Sequence, residues 1–419
     1  MSRGVTMAAY DELTERFRAN HALLVAARDR LQAAVSAGTA TGEQRTRLDT
    51  VNELLTPVTA AEVDAEGNVV EVRRPRQFLK VDPEGQGRAV EVLGELRQAK
   101  NVAVLVPGMG NSLDTFRGQA DRGDLVRAEA GPGTAVIVWL DYDSPQGLAQ
   151  AASKDAALDG GPRLAEFLHE VDELKAADAE VTLVAHSYGT DVAGEALING
   201  ARPARVVMTG SPGIRKYIDE AADFVPSPTR LYVERAPGDY VAYSEWHGPD
   251  PATFPDAVRM ATNDPLANDE AVSVHWHNEY YRTNSEALRN IGRVVRGDLQ
   301  AITTTATTRT TETELAPLTS WGTPFNHLAK TASAVYNGVV NLTHPHRHPT
   351  APPNTPTAAP GTPAALPDAP AVPVPDDGVR QAGWSSVERV PGERESTARG
   401  AGVSRGGAHR DHQTGGRGR

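Results

Sequence analysis

The stretch Val181-Thr-Leu-Val-Ala-His-Ser-Tyr-Gly-Thr190 carries the residue types that acyl-transfer chemistry needs. An apolar, β-branched run leads into Ser187, and a segment of helical character follows it. A serine on a sharp strand-to-helix turn holds its hydroxyl clear of the backbone. The pattern G-x-S-x-G records the small residues that such a turn demands. Here the two small positions are Ala185 and Gly189, with alanine where glycine is usual. The helix expected from Tyr188 leaves free N–H groups and a positive dipole end beside the serine. The Tyr188 amide is therefore a candidate oxyanion donor.

A nucleophilic serine needs a second donor, a base and an acid. Val102–Val106 reads as a strand, and Pro107-Gly108-Met109-Gly110-Asn111 follows it. Glycines let a backbone approach a reacting carbonyl closely, so Gly108 or Met109 is the expected second donor, with Met109 favoured. No Gly-Lys-Ser/Thr follows these glycines, which argues against a nucleotide-phosphate loop. The expected chain order is Ser, then Asp or Glu, then His. Asp239 follows the strand-like run Thr229–Arg235, whereas the rivals Asp219, Asp223 and Glu234 lack that placement. For the base, Val272-Ser-Val-His-Trp-His-Asn278 offers His275 and His277. In a strand these two would share a face, and a metal pair would need a third ligand that the sequence does not supply. His277, nearer the expected strand end, is favoured, with His275 as the alternate. His186 beside the nucleophile reads as structural.

Those residues require a scaffold of alternating strands and helices. Strand-like runs occur at 102–106, 135–140, 181–185, 205–209 and 229–235. Helical patterns lie between them, at about 145–174 and 188–199. Such alternation implies a mostly parallel sheet with helices on both faces. Valines around the turn signal Glu66-Gly67-Asn68, with runs at 69–72, 77–81 and 88–93, suggest an antiparallel start to the sheet. Before it, residues 8–57 read as two helices broken near Gly38, an α-hairpin expected to cap the catalytic domain. The chain divides into an N-terminal helical segment (1–60), a catalytic domain (61–300), a Thr-rich linker with a short helix (301–342) and a Pro/Ala/Gly/Arg-rich tail (343–419). The tail composition cannot offset chain entropy by burial, so it is expected to be disordered.

Composition narrows the function classes. The 419 residues are 39% hydrophobic, carry a formal charge of −12 and contain no cysteine. A thiol nucleophile, a disulfide framework and a thiolate metal site are thus excluded. An acidic balance argues against general nucleic-acid binding. No run reaches the ~18 apolar residues of a membrane span, and the N-terminus lacks the apolar core of a signal peptide. The expectation is a cytoplasmic protein that acts on a small-molecule or acyl-ester substrate without metal or cofactor. His344, His346 and His348 fall in the tail and read as solvated.

Six segments in order carry a family resemblance: FLKVDPEGQGRAV (78–90), NVAVLVPGMGNSL (101–113), AVIVWLDYDSPQ (135–146), VTLVAHSYGT (181–190), APGDYV (236–241) and HNEYYRTNSEALRNI (277–291). Over about residues 78–298 the chain resembles an actinobacterial α/β-hydrolase family catalogued as a domain of unknown function. The family has glycine where this chain has Ala185. The resemblance implies an α/β-hydrolase fold with Ser187 as nucleophile, Asp239 as acid and His277 as base. It favours His277 because the family's histidine is followed three residues on by tyrosine, here Tyr280. Asp141, Tyr142 and Asp143 match a family strand end, where they either line the substrate pocket or only finish the strand. The leading reading is a serine esterase, with thioester or amide as further substrate classes. The alternative is a non-catalytic interaction protein on an inherited scaffold, which binds a protein partner through the N-terminal helices or the tail.

Overall fold

A computed structural model describes residues 3–63, 69–215, 218–224, 229–236, 239, 241–262 and 274–305. The expectations for the linker beyond 305 and for the tail lie outside the described residues.

Helix α1 (Arg3–Ser36) ends near Gly38, whose φ of +69° suits glycine. Helix α2 (Gly42–Leu54) starts on a Thr41 capping box with Gln44. A hairpin of β1 (Val58–Val63) and β2 (Val69–Arg74) stands apart from the main sheet. Then come β3 (Gln77–Asp82), β4 (Arg88–Leu93), β5 (Asn101–Val106), α3 (Phe116–Ala130) and β6 (Thr134–Leu140). Next are α4 (Leu148–Ala151), α5 (Asp155–Leu174), β7 (Glu180–His186), α6 (Gly189–Ile198) and β8 (Arg205–Thr209). The chain continues through β9 (Arg230–Glu234), β10 (Val258–Arg259), a 3₁₀ segment (Val274–Tyr281) and α7 (Glu286–Val295).

The main sheet has eight strands in the order β10-β9-β8-β7-β5-β6-β4-β3. All pairs from β10 to β6 are parallel, whereas β6–β4 and β4–β3 are antiparallel. Every residue of β6 and β8 is buried, as is nearly all of β5 and β7. Burial on both faces explains why these strands read as continuous apolar runs rather than alternations. Helices α3 and α7 pack together on one face, and α5 with α6 on the other. Order, direction and covering are those of the α/β-hydrolase fold.

Both sheet edges are covered. On β3, the Asn20 amide of α1 donates to the Phe78 carbonyl (2.9 Å), and Arg16 Nε donates to that of Leu79 (2.7 Å). Leu13, Leu24, Ala27 and Leu31 bury the same face of α1. On the other edge, Ala261 N donates to Thr303 O (2.9 Å) and Thr305 N to Arg259 O (3.0 Å), with a bridge at Met260–Thr304. Thr303 and its neighbours therefore close the sheet, although composition put the end of the domain at 300.

Two other local expectations differ from what the structure has. The helix expected over about 145–174 breaks between α4 and α5, at 152–154. There the Ser153 carbonyl accepts the Tyr188 hydroxyl (2.8 Å), and Lys154 turns inward to the His247 carbonyl (2.6 Å). The strand expected around His275 and His277 is instead the 3₁₀ segment. The sheet already takes its next strand from β10, so no edge is left for it.

Candidate active site

Strand β7 is a central strand, and Ser187 is the first residue past its end. Ser187 has φ +56°, in the left-handed region that non-glycine residues rarely occupy. The surroundings hold it there: Ser187 N donates to Thr209 O (3.0 Å), and Ser187 O accepts the amide (2.9 Å) and hydroxyl (2.7 Å) of Thr190. Gly189 has no room for a side chain. A Cβ there would meet Val106 O at 2.5 Å and Pro107 O at 2.7 Å. Ala185 is fully buried and fits without glycine.

The loop after β5 lies against Ser187. A Cβ on Gly108 would come within 2.6 Å of Ser187 Cβ and 3.1 Å of Ser187 Oγ, so only glycine allows this approach. Three side chains hold the loop. The Tyr142 hydroxyl donates to Pro107 O (2.6 Å). Ser144 Oγ and Asn111 Nδ2 donate to Gly108 O (2.9 and 2.8 Å). Met109 is 37% exposed, unusual for a large apolar side chain. Tyr188 caps α6, with its hydroxyl held by the Ser153 carbonyl and the Ala157 amide (3.2 Å). Asp141 pairs with Lys80, and Tyr142 is buried behind the loop.

Asp239 follows β9, and His277 belongs to the 3₁₀ segment. His277 Nε2 lies 2.7 Å from Ser187 Oγ. Its Nδ1 lies 2.9 and 3.0 Å from the two Asp239 oxygens. The side chain of His275 is outside the described residues. Asp239 is completely buried and accepts the Val241 and Ala242 amides (3.0 and 3.2 Å) and the Tyr280 hydroxyl (2.6 Å). Burial by itself would raise the Asp239 carboxyl. The His277 charge, its hydrogen bond, Tyr280 and the Ala242 amide outweigh that and hold it below the ordinary value.

His186 lies beside His277. Its ring centroid is 4.8 Å from that of His277, and its Nε2–H donates to the His277 carbonyl (2.6 Å). Burial, then the neighbouring His277 and Arg122, push its pKa well below the ordinary value, so His186 stays neutral. The loop after β8 completes the surroundings. Gly210 has φ +58°, and a Cβ there would meet Asp239 Oδ2 at 2.9 Å and His277 Cε1 at 3.1 Å.

Sequence reasoning named Ser187, Asp239 and His277, and the fold brings these three together. It missed Gly210 and the loop supports Ser144 and Asn111. Asn111 had a readable signal in the Gly-Met-Gly-Asn run, but Gly210 had none. Tyr280 entered only as a spacing marker.

Residues 82–247 match the model of a family described as alpha/beta hydrolase. That span holds Ser187 and Asp239 and ends before His277. An uncharacterized protein of Mycobacterium tuberculosis is 29% identical over 254 residues, covering 52% of this chain and 38% of that protein. An uncharacterized protein of Mycobacterium bovis is 28% identical over 203 residues, covering 44% of this chain and 75% of that protein. The chain thus spans well under half the length of the first relative. Among solved structures, a carboxylesterase from Mesorhizobium loti aligns at 13% identity with a TM-score of 0.31, covering 53% of this chain and 98% of that one. A thermostable esterase from Pseudomonas putida aligns at 16% identity with a TM-score of 0.24, covering 47% and 60%. No helix among the described residues is long and apolar enough to cross a membrane.

Proposed function

We propose, from the α/β-hydrolase fold of this chain, that it is a serine hydrolase that cleaves a carboxylic ester through an acyl-enzyme on Ser187. The observation that carries the reading is the continuous relay from Ser187 Oγ to His277 Nε2 (2.7 Å) and from His277 Nδ1 to Asp239 (2.9 Å). These are hydrogen-bond distances for a nucleophile, its base and the group that orients the base.

In the first half-reaction Ser187 Oγ attacks the ester carbonyl carbon, and its proton passes to His277 Nε2. Asp239 holds the imidazole by Nδ1 and stabilises the imidazolium. Negative charge collects on the carbonyl oxygen, with the amides of Tyr188 and of Met109 or Gly108 as its donors. As the tetrahedral intermediate collapses, His277 returns the proton to the leaving alcohol, and the acyl group stays on Ser187. In the second half, His277 takes a proton from water, the hydroxide adds to the acyl carbon, and the carbon–Oγ bond breaks, releasing the acid while His277 returns the proton to Ser187. Tyr142 acts from behind the oxyanion loop, and the Asp141–Lys80 pair finishes the end of β6.

A fluorophosphonate probe tests this directly. Wild-type protein should become labelled at one site, and Ser187→Ala should lose both labelling and hydrolysis of a panel of acyl esters. Absence of labelling in the wild type, or equal labelling of Ser187→Ala, would remove the serine-hydrolase reading. Including thioesters and amides in the same panel ranks the acyl classes.

A further inference from the structure

Asp239 has more donors than a histidine-orienting acid requires. Its Oδ1 accepts two backbone amides as well as His277, while Oδ2 accepts the Tyr280 hydroxyl at 2.6 Å. The Tyr280 hydroxyl is itself an acceptor, for the Ala236 amide at 3.0 Å. The Ala236 N–H therefore donates to the Tyr280 hydroxyl, and the Tyr280 O–H and the His277 Nδ1–H both donate to the Asp239 carboxylate. Tyr280 is 1% exposed, so water does not compete for its hydroxyl. Burial, then the Asp239 charge, keep that hydroxyl protonated and donating.

A donor on one oxygen of a carboxylate withdraws charge from the whole group. Less charge then remains to stabilise an imidazolium at Nδ1. We propose that Tyr280 is a positioning residue that sets the basicity of His277 through Asp239, lowering it by drawing charge from the carboxylate that the imidazole meets. This rests on the Ser187–His277–Asp239 reading.

The other groups around this pair come from several elements. His186 at the end of β7 is neutral and lies tilted against the His277 ring. Tyr281 stands edge-on to His186, and Arg122 of α3 lies over the Tyr281 ring. Glu234 at the end of β9 acts on Tyr280 through its charge. Among the described residues, the side chains of Tyr280 and His277 donate directly to Asp239.

The test follows the rate at which a fluorophosphonate labels Ser187, from roughly pH 5 to 9, a rate that rises as His277 loses its proton. No natural substrate is needed. Full-length wild type, Tyr280→Phe and protein with 3-fluorotyrosine in place of Tyr280 are compared, each with its thermal midpoint. Loss of the hydroxyl should move the limb of the profile up by about half to one pH unit. The fluorinated phenol is a stronger donor and should move the limb down. Opposite shifts are not produced by loosened packing, and the fluorinated variant keeps the hydroxyl should Tyr280→Phe fail to fold. Limbs that superimpose on the wild type, or that move the same way, overturn the role of Tyr280. A wild type unlabelled at every pH overturns the hydrolase reading and this inference with it, whereas labelled protein with unmoved limbs overturns only the inference.

Discussion

Ser187 sits at a positive φ that costs a serine on the order of 1–3 kcal/mol. The strain persists because Thr190, Thr209 and the close approach of Gly108 and Gly189 leave no relaxed alternative. Gly210 plays a comparable part beside Asp239 and His277. Its φ is positive, and the nearest atoms to an added methyl belong to Asp239, Tyr280 and His277. Gly210→Ala should therefore lower fluorophosphonate labelling at least about tenfold, since sub-ångström displacement of catalytic groups is expensive. Its circular dichroism should stay native, because the position lies in a loop.

Acid sensitivity is also argued from single residues. His186 is buried neutral, with a folded pKa well below the ordinary value. Below pH ~6.5 the unfolded chain takes up a proton at this site that the folded chain lacks, so stability falls with falling pH. The Asp239 carboxyl is held low, so its contribution is present above the ordinary carboxylate pKa and is lost as pH falls through the folded value. Both groups act in the same direction, His186 at the higher pH. The thermal midpoint should drop between about pH 7 and 5, and His186→Gln should flatten that slope. Glutamine can still donate to the His277 carbonyl. An unchanged slope in the variant would assign the loss to other groups.

At the scale of elements, the sheet edges need explanation. An exposed edge strand invites pairing with another chain. On β3, α1 meets the outward carbonyls with the Asn20 amide and the Arg16 guanidinium, and Arg16 also pairs with Glu170 of α5. The N-terminal helix is a cover by this geometry. Replacing both Arg16 and Asn20 by alanine should destabilise the fold by roughly 1–3 kcal/mol in chemical denaturation, from two lost side-chain bonds to buried backbone. Light scattering on warming should rise earlier than in the wild type. The α4–α5 break shows a related exchange: α5 starts late because Ser153 O serves Tyr188 and Lys154 serves His247 O.

Across the whole molecule, residues 301–305 extend the folded sheet beyond α7. Asn290 of α7 donates to Thr303 O and Thr303 Oγ1 (3.2 and 2.9 Å), and its Oδ1 accepts the Thr303 amide (3.1 Å). A chain ended after residue 300 loses these bonds and the Met260–Thr304 bridge. It should unfold at a denaturant concentration corresponding to about 2–4 kcal/mol less stability than a chain ended after 305. A chain ended after 305 should keep the labelling rate of the full-length protein within about twofold, since each residue of the proposed mechanism lies before it. Equal stability of the two truncations would show that residues 301–305 do not close the sheet.

Much of this was legible from residue types alone, because the governing interactions are local or periodic. Strands buried on both faces read as apolar runs, and the elbow had to carry small residues around Ser187. Chain order then led to Asp239 and His277. Three matters were decided only by tertiary structure. The histidine segment is a 3₁₀ turn, since β10 had already taken the next place in the sheet. Thr303, Thr304 and Thr305 read as linker, yet their backbone pairs with residues 259–261, more than 40 residues earlier. Gly210 and Tyr280 carry no local pattern that points to Asp239. Gly210, 29 residues before Asp239, leaves space where an added Cβ would stand 2.9 Å from its Oδ2, and Tyr280, 41 residues after it, donates to it at 2.6 Å. Local sequence fixes conformation through steric preference and burial periodicity, whereas which side chain meets a buried carboxylate depends on how distant loops converge at the end of the sheet.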